Sequence, residues 1–271
     1  MQRTFVVDGI EVLVDGPLEG EGGPATETIL MLHGWPDTHR LWDGQVAALS
    51  GQYRCARFTL PGFDLGKPRR PCPLDEMTSL IERIARLASP DRPVILMQHD
   101  WGSIFGTEFA QRHPQLVSRI VAVDVGDALT PEYRATLGLG AKLAIASYQL
   151  WLALAWRIGG KLGDGMSRRM AKAMRVPVEA ADIGSQMNYP YYIAWTGAYG
   201  SYRHAATSMP GCPTLFIYGK RKPFMFHSGA WADKLNATPG SRAIGMETGH
   251  WPMREQAAEF NAAVQNWLAG G

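Results

Sequence analysis

A continuous apolar run from Pro93 to His99 ends at Asp100, and a helical pattern starts at once in Trp101-Gly102-Ser103. A strand that turns this sharply into a helix lifts the side chain at the apex clear of the backbone. The side chain here is a carboxylate. It is ionised at neutral pH without help from a base, unlike a serine hydroxyl, and it suits attack at a saturated carbon to give an ester with the protein. Release then requires water activated by a nearby base. Ser103 lies three residues past the apex and points into the helix, so serine esterase chemistry is disfavoured.

The elements that must hold such a site are readable from hydrophobic patterning. Residues 28–33, 54–60, 93–99, 119–125 and 213–219 are short apolar runs without alternation, as expected for parallel strands covered on both faces. Helical patterns at 74–89 and 103–114 separate them, and residues 253–270 form a further amphipathic helix ending at glycine. Strands alternating with helices imply an α/β architecture with a mostly parallel, doubly wound sheet. The alternation stops after residue 125 and resumes at Pro213, with aromatic-rich helical stretches between. The expected division is a core formed by residues 1–126 and 208–271, with an inserted helical cap at 127–207. Residues 2–16 read as an alternating strand pair.

Composition narrows the class. A chain of 271 residues that is 46% apolar and 19% charged can bury a large core. A net charge of +2 without a basic, aromatic-interleaved stripe does not suggest nucleic acid. Cys55, Cys72 and Cys212 are too few and too scattered for a disulfide framework or a metal cluster. No metal and no cofactor are expected. The N-terminus lacks a charged-then-apolar leader pattern, which makes a cytoplasmic location the expectation. The run at 137–156 is interrupted by Lys142, Tyr148 and Gln149 and reads as a buried or substrate-facing helix, not a stable membrane insertion. The basic stretch at 161–175 could touch an anionic surface, although a solvated helix face is the simpler reading. The sequence leaves the oligomeric state open, with a homodimer as one option.

From about residue 25 to 268 the chain resembles the α/β-hydrolase superfamily. The resemblance rests on His33-Gly34-Trp35-Pro36, on His99-Asp100-Trp101-Gly102 and on Gly249-His250-Trp251-Pro252, in that order. It implies Asp100 as nucleophile and His250 as the base that activates water. The backbone N–H groups of Trp35 and Trp101, in a turn shaped by His33 and Gly34, would form the oxyanion site. Two branches use an aspartate in this way, the epoxide hydrolases and the haloalkane dehalogenases. Aromatic Trp35 in the His-Gly-x-Pro motif resembles the epoxide branch, as does Ser147-Tyr148-Gln149-Leu150. Tyr148 lies 48 positions after Asp100, and the resemblance makes it the first ring-opening tyrosine. The second falls in the cluster at 188–195, where Tyr192 is chosen over Tyr191 and Tyr189. The acid that orients the histidine usually follows the strand at 213–219, but Lys222 stands there. Asp124, at the end of the preceding core strand, takes the role, with Asp127 as the lesser candidate.

The expectation is a hydrolase that opens a small apolar epoxide with water to give a vicinal diol. One alternative is a haloalkane dehalogenase acting on a halogenated substrate, with Trp101 and Trp35 as halide donors. Another is a non-catalytic ligand-binding relative.

Overall fold

A computed structural model describes residues 2–17, 26–207 and 211–270. The elements in chain order are β1 (Gln2–Val7), β2 (Ile10–Asp15), β3 (Thr28–Leu32), α1 (Asp43–Leu49), β4 (Arg54–Phe58), α2 (Leu74–Ala88) and β5 (Val94–His99). They continue with α3 (Trp101–Arg112), β6 (Val117–Val123), α4 (Pro131–Thr136), α5 (Leu139–Ile158), α6 (Gly160–Ala173) and α7 (Tyr189–Thr196). The chain closes with β7 (Thr214–Gly219), α8 (Gly229–Asn236), β8 (Arg242–Met246), α9 (Pro252–Glu255) and α10 (Ala257–Leu268).

The eight strands form one sheet in the order β1-β2-β4-β3-β5-β6-β7-β8. The β1–β2 and β2–β4 pairs are antiparallel, and every later pair is parallel. The period-2 geometry of a strand sorts the apolar runs onto two faces. Leu30, Leu96, Ile120 and Phe216 join a core with α2 and α3, while Met31, Met97, Val121 and Ile217 join a second core with Trp42, Phe260 and Val264. Both faces are therefore buried, which is why these strands lack alternation in the sequence.

Some boundaries differ from the sequence expectation. Strand β6 starts at Val117 and stops at Val123, leaving Asp124 just beyond it with a positive φ of 66°. Strand β8 is an additional parallel edge strand whose mixed burial gave no apolar run to read. The C-terminal helical pattern is two helices, α9 and α10. Between β6 and β7 the described residues form helices only, apart from a single bridge between Val125 and Phe226. The expected resumption of the core at residue 208 lies outside the described residues.

Candidate active site

The segments following β3, β5, β6, β7 and β8 contribute Trp35, Asp100, Asp124, Lys222 and His250, all near the carboxyl ends of parallel strands, where open α/β sheets form their crevice. Asp100 has φ 53° and ψ −122°, a backbone conformation that L-residues avoid and that costs roughly 1–3 kcal/mol. Tight packing holds it there. A methyl group on Gly34 would fall 2.3 Å from Asp100 Oδ1, and one on Gly102 would fall 2.5 Å from the His33 carbonyl. Glycine at both positions lets the two turns meet. The Trp35 backbone N–H then donates to Asp100 Oδ1 at 2.7 Å. The free oxygen, Oδ2, faces His250 Nε2 at 3.4 Å.

The other nitrogen of His250, Nδ1, bonds Asp124 Oδ2. Asp124 is fully buried, and its second oxygen accepts from the Gly219 N–H at 2.9 Å and from the Lys222 ammonium. A buried carboxylate is tolerable only when partnered in this way. Asp127 is occupied elsewhere. It accepts from the Ser228 N–H and hydroxyl, both at 2.7 Å, at the start of α8. Asp124 is therefore the one that meets His250.

The charges follow from these contacts. Burial would raise Asp124, but His250 and Lys222 outweigh it and hold the carboxyl at about 2. Burial likewise opposes ionisation of Asp100, yet His250 and the Trp35 N–H keep it below the ordinary carboxylate value. Burial would lower His250, but the two carboxylates push it up to about 9. Burial also lowers Lys222, against the pull of Asp124. The resting cluster thus combines two carboxylates, an imidazolium and an ammonium.

His33 sits lower in the turn. Its Nδ1 donates to the Gly34 carbonyl at 3.0 Å and its Nε2 accepts from the Leu60 N–H at 2.9 Å. Burial drops it to about 3, so it is neutral and braces the loop instead of reaching the pocket. His99 is likewise neutral, lowered to about 3 by burial, and bonds the His250 carbonyl at 2.9 Å.

Above Asp100, α5 and α7 bring tyrosines. Tyr191 meets Tyr148 edge-on at 6.1 Å, Trp101 at 5.2 Å and Trp35 at 5.9 Å. Burial raises both phenols well above their ordinary value, and the charge of Asp100 raises them further. Tyr192 turns away and stacks on Trp156 at 4.4 Å, while Tyr189 packs against Phe63. Consecutive helical residues point about 100° apart, so α7 can aim only one of this pair inward. It aims Tyr191, not the expected Tyr192. The Trp35 indole N–H is already given to Asn188 Oδ1 at 2.7 Å.

Asp37 was not signalled by the sequence. It is buried, accepts from the Trp251 indole at 2.9 Å, and burial pushes it up to about 7. Its only trace in the sequence is its position directly after the His-Gly-Trp-Pro motif.

Residues 27–154 match the model of the alpha/beta hydrolase fold family. The protein called "Probable oxidoreductase EphD" from Mycobacterium tuberculosis is 33% identical over 110 residues, which cover 39% of this chain but only 18% of that protein. A cis-3-alkyl-4-alkyloxetan-2-one decarboxylase of Xanthomonas campestris is 27% identical over 197 residues, covering 64% of this chain and 60% of that protein. The crystal structure of an epoxide hydrolase from Bacillus megaterium superposes with a TM-score of 0.69 at 21% identity, over 98% of this chain and all of that one. The eight-stranded, mostly parallel sheet with helices on both faces agrees with these similarities, and the chain has the α/β-hydrolase fold.

Proposed function

We propose that the chain hydrolyses an apolar epoxide to a vicinal diol through an ester on Asp100. The observation that carries this reading is the convergence of Asp100, His250 and two inward tyrosines, Tyr148 and Tyr191. Asp100 Oδ2 attacks a ring carbon and the carbon–oxygen bond of the ring breaks. The released oxygen takes hydrogen bonds, then a proton, from the tyrosine pair. Oδ1 becomes the ester carbonyl oxygen, already held by the Trp35 N–H.

Esterification removes the charge of Asp100. His250 then faces one carboxylate, Asp124, whose field Lys222 partly cancels, so the imidazolium passes its proton through solvent to the tyrosinate left by ring opening and becomes a base. Water loses a proton to Nε2 and adds to the ester carbon, and Oδ1 carries the negative charge, stabilised by backbone N–H groups. Collapse breaks the bond between the ester carbon and the diol oxygen, which takes the proton of the added hydroxyl, so the diol leaves and the carboxylate is restored. The proton on His250 stays there and re-forms the resting imidazolium. The helical segment between β6 and β7 serves as the cap of this site.

The acid at the end of β6, a position used by some dehalogenases, and the His-Asp-Trp-Gly-Ser run at 99–103 favour the dehalogenase reading. Against it, the Trp35 indole N–H is committed to Asn188, which leaves Trp101 as the remaining candidate among the two expected halide donors. The test is a panel of epoxides, bromoalkanes and β-lactones assayed side by side for diol, halide and carbon dioxide. His250→Gln, given a turned-over epoxide, should accumulate an adduct on Asp100 visible by mass spectrometry. Halide release without diol, or a proven substrate with no adduct, would overturn the proposal.

A further inference from the structure

Helix α5 exposes Leu139, Leu143, Leu150, Leu154 and Ile158, and Leu162 extends the row onto α6. Their exposures run from 45% at Ile158 to 74% at Leu139. The spacing within α5 is four, seven, four and four residues, which places them on one side of the helix. The opposite side is spent on the core, through Leu152, Ala155 and Trp156. Isolated exposed apolar residues are normal, but a continuous row over five turns marks a contact surface.

The charge around the row points to the kind of partner. Residues 137–175 contain seven Lys or Arg and one Asp, in a chain whose net charge is only +2, so the rest of the molecule is net acidic. The single acid, Asp164, is occupied by the Ser185 N–H and hydroxyl, both at 2.7 Å. Arg168, Arg169, Lys172 and Arg175 border a groove of about 610 Å³ whose other lining includes Val176 and Ile183. The groove and the row lie on two helices joined by the Gly159–Gly160 turn. Together they ask for a partner that is apolar and anionic at once.

A second copy of the chain fits poorly, because a two-fold contact would set the same strongly basic face against itself. An anionic bilayer fits both features, with acyl chains for the leucine row and phosphates for the arginines. We propose that the α5–α6 face docks on an anionic phospholipid surface. Among the described residues no helix is long and apolar enough to cross a membrane, so the contact is peripheral. This contact is independent of the reaction catalysed.

The full chain should co-sediment with phosphatidylcholine vesicles that contain phosphatidylglycerol, not with pure phosphatidylcholine, and raised salt should release it. Arg168→Gln and Arg169→Gln should each weaken binding roughly fivefold. Leu143→Ser with Leu150→Ser should weaken it at unchanged charge. Circular dichroism of each variant verifies that the fold is retained. Failure to sediment with the anionic vesicles, or equal salt-insensitive partition into both, would overturn the proposal. A dimer seen by sedimentation velocity, abolished by the leucine variants and without vesicle binding, would overturn it too and give the face to a second copy.

Discussion

Lys222 stands after β7, where the sequence resemblance places a histidine's acid, and it contacts Asp124, the carboxylate that bonds His250 instead. An ammonium there offsets part of the field that Asp124 exerts on His250. Lys222→Met, which keeps length and burial, should therefore leave ester formation nearly intact while raising the pH at which hydrolysis switches on. Single-turnover kinetics across pH would separate the two steps, and an unmoved hydrolysis profile would exclude the role. The tyrosines give a second contrast. Tyr191→Phe should slow epoxide opening about 10²-fold, whereas Tyr192→Phe, packed on Trp156, should change it little. Equal effects at the two positions would count against the inward role of Tyr191. Asp100 and His250 are legible in the sequence because each sits in a motif with a defined turn. The choice between Tyr191 and Tyr192 is not, because both neighbours are tyrosine and only the rotation of α7 distinguishes them.

Among the elements, the loop after β3 and the loop before α9 are tied by a buried hydrogen bond from the Trp251 indole to Asp37. The carboxyl of Asp37 is held at about 7, against 3.8 when unperturbed. Below pH 3.8 both states hold the proton and the residue is neutral in its effect. As pH rises toward 7 the unfolded chain ionises first, so the folded state loses stability, by an amount on the order of a few kcal/mol. Asp37→Asn keeps an acceptor for the indole and removes the titration. Urea unfolding should find the variant more stable than the parent at pH 7 and similar below pH 3.8. An identical pH dependence in the two proteins would refute this. The buried strands β3 to β7 were legible because burial on both faces leaves a continuous apolar run. Strand β8 was not, since an edge strand with Arg242 and Gly245 carries no such run.

At the scale of the whole molecule, the helical segment and the sheet are joined through the site itself. Asn188 receives the Trp35 indole N–H and donates to Ser167 Oγ at 2.7 Å, so one buried amide links the turn after β3 with α6. Replacing it with alanine leaves the buried Trp35 indole N–H without its acceptor, at a cost of roughly 1–3 kcal/mol, while Ser167 Oγ keeps its bond to the Gly163 carbonyl. Asn188→Ala should lower the unfolding midpoint and free the Trp35 indole to point into the pocket. Bromoalkane turnover measured in that variant would show whether a second ring donor is what the dehalogenase reaction lacks here; no change in midpoint would refute the link. The presence of a helical insertion was readable from the lapse in strand alternation. Its seat on the core was not, because Asn188 and Trp35 are 153 positions apart and nothing local marks them as partners.

The Trp251 indole lies edge-on to the His250 ring, with centroids 4.7 Å apart. A protonated imidazole at that distance quenches indole emission, whereas a neutral one does so weakly. The protein therefore carries its own optical gauge of the histidine's charge. Intrinsic fluorescence should rise as pH passes through about 9, the value set for His250 by its two carboxylates, and the step should be missing in His250→Gln. If substrate alkylates Asp100 as proposed and the imidazolium is discharged, the same emission should brighten at neutral pH. The lifetime of the covalent intermediate could then be followed in real time without a label.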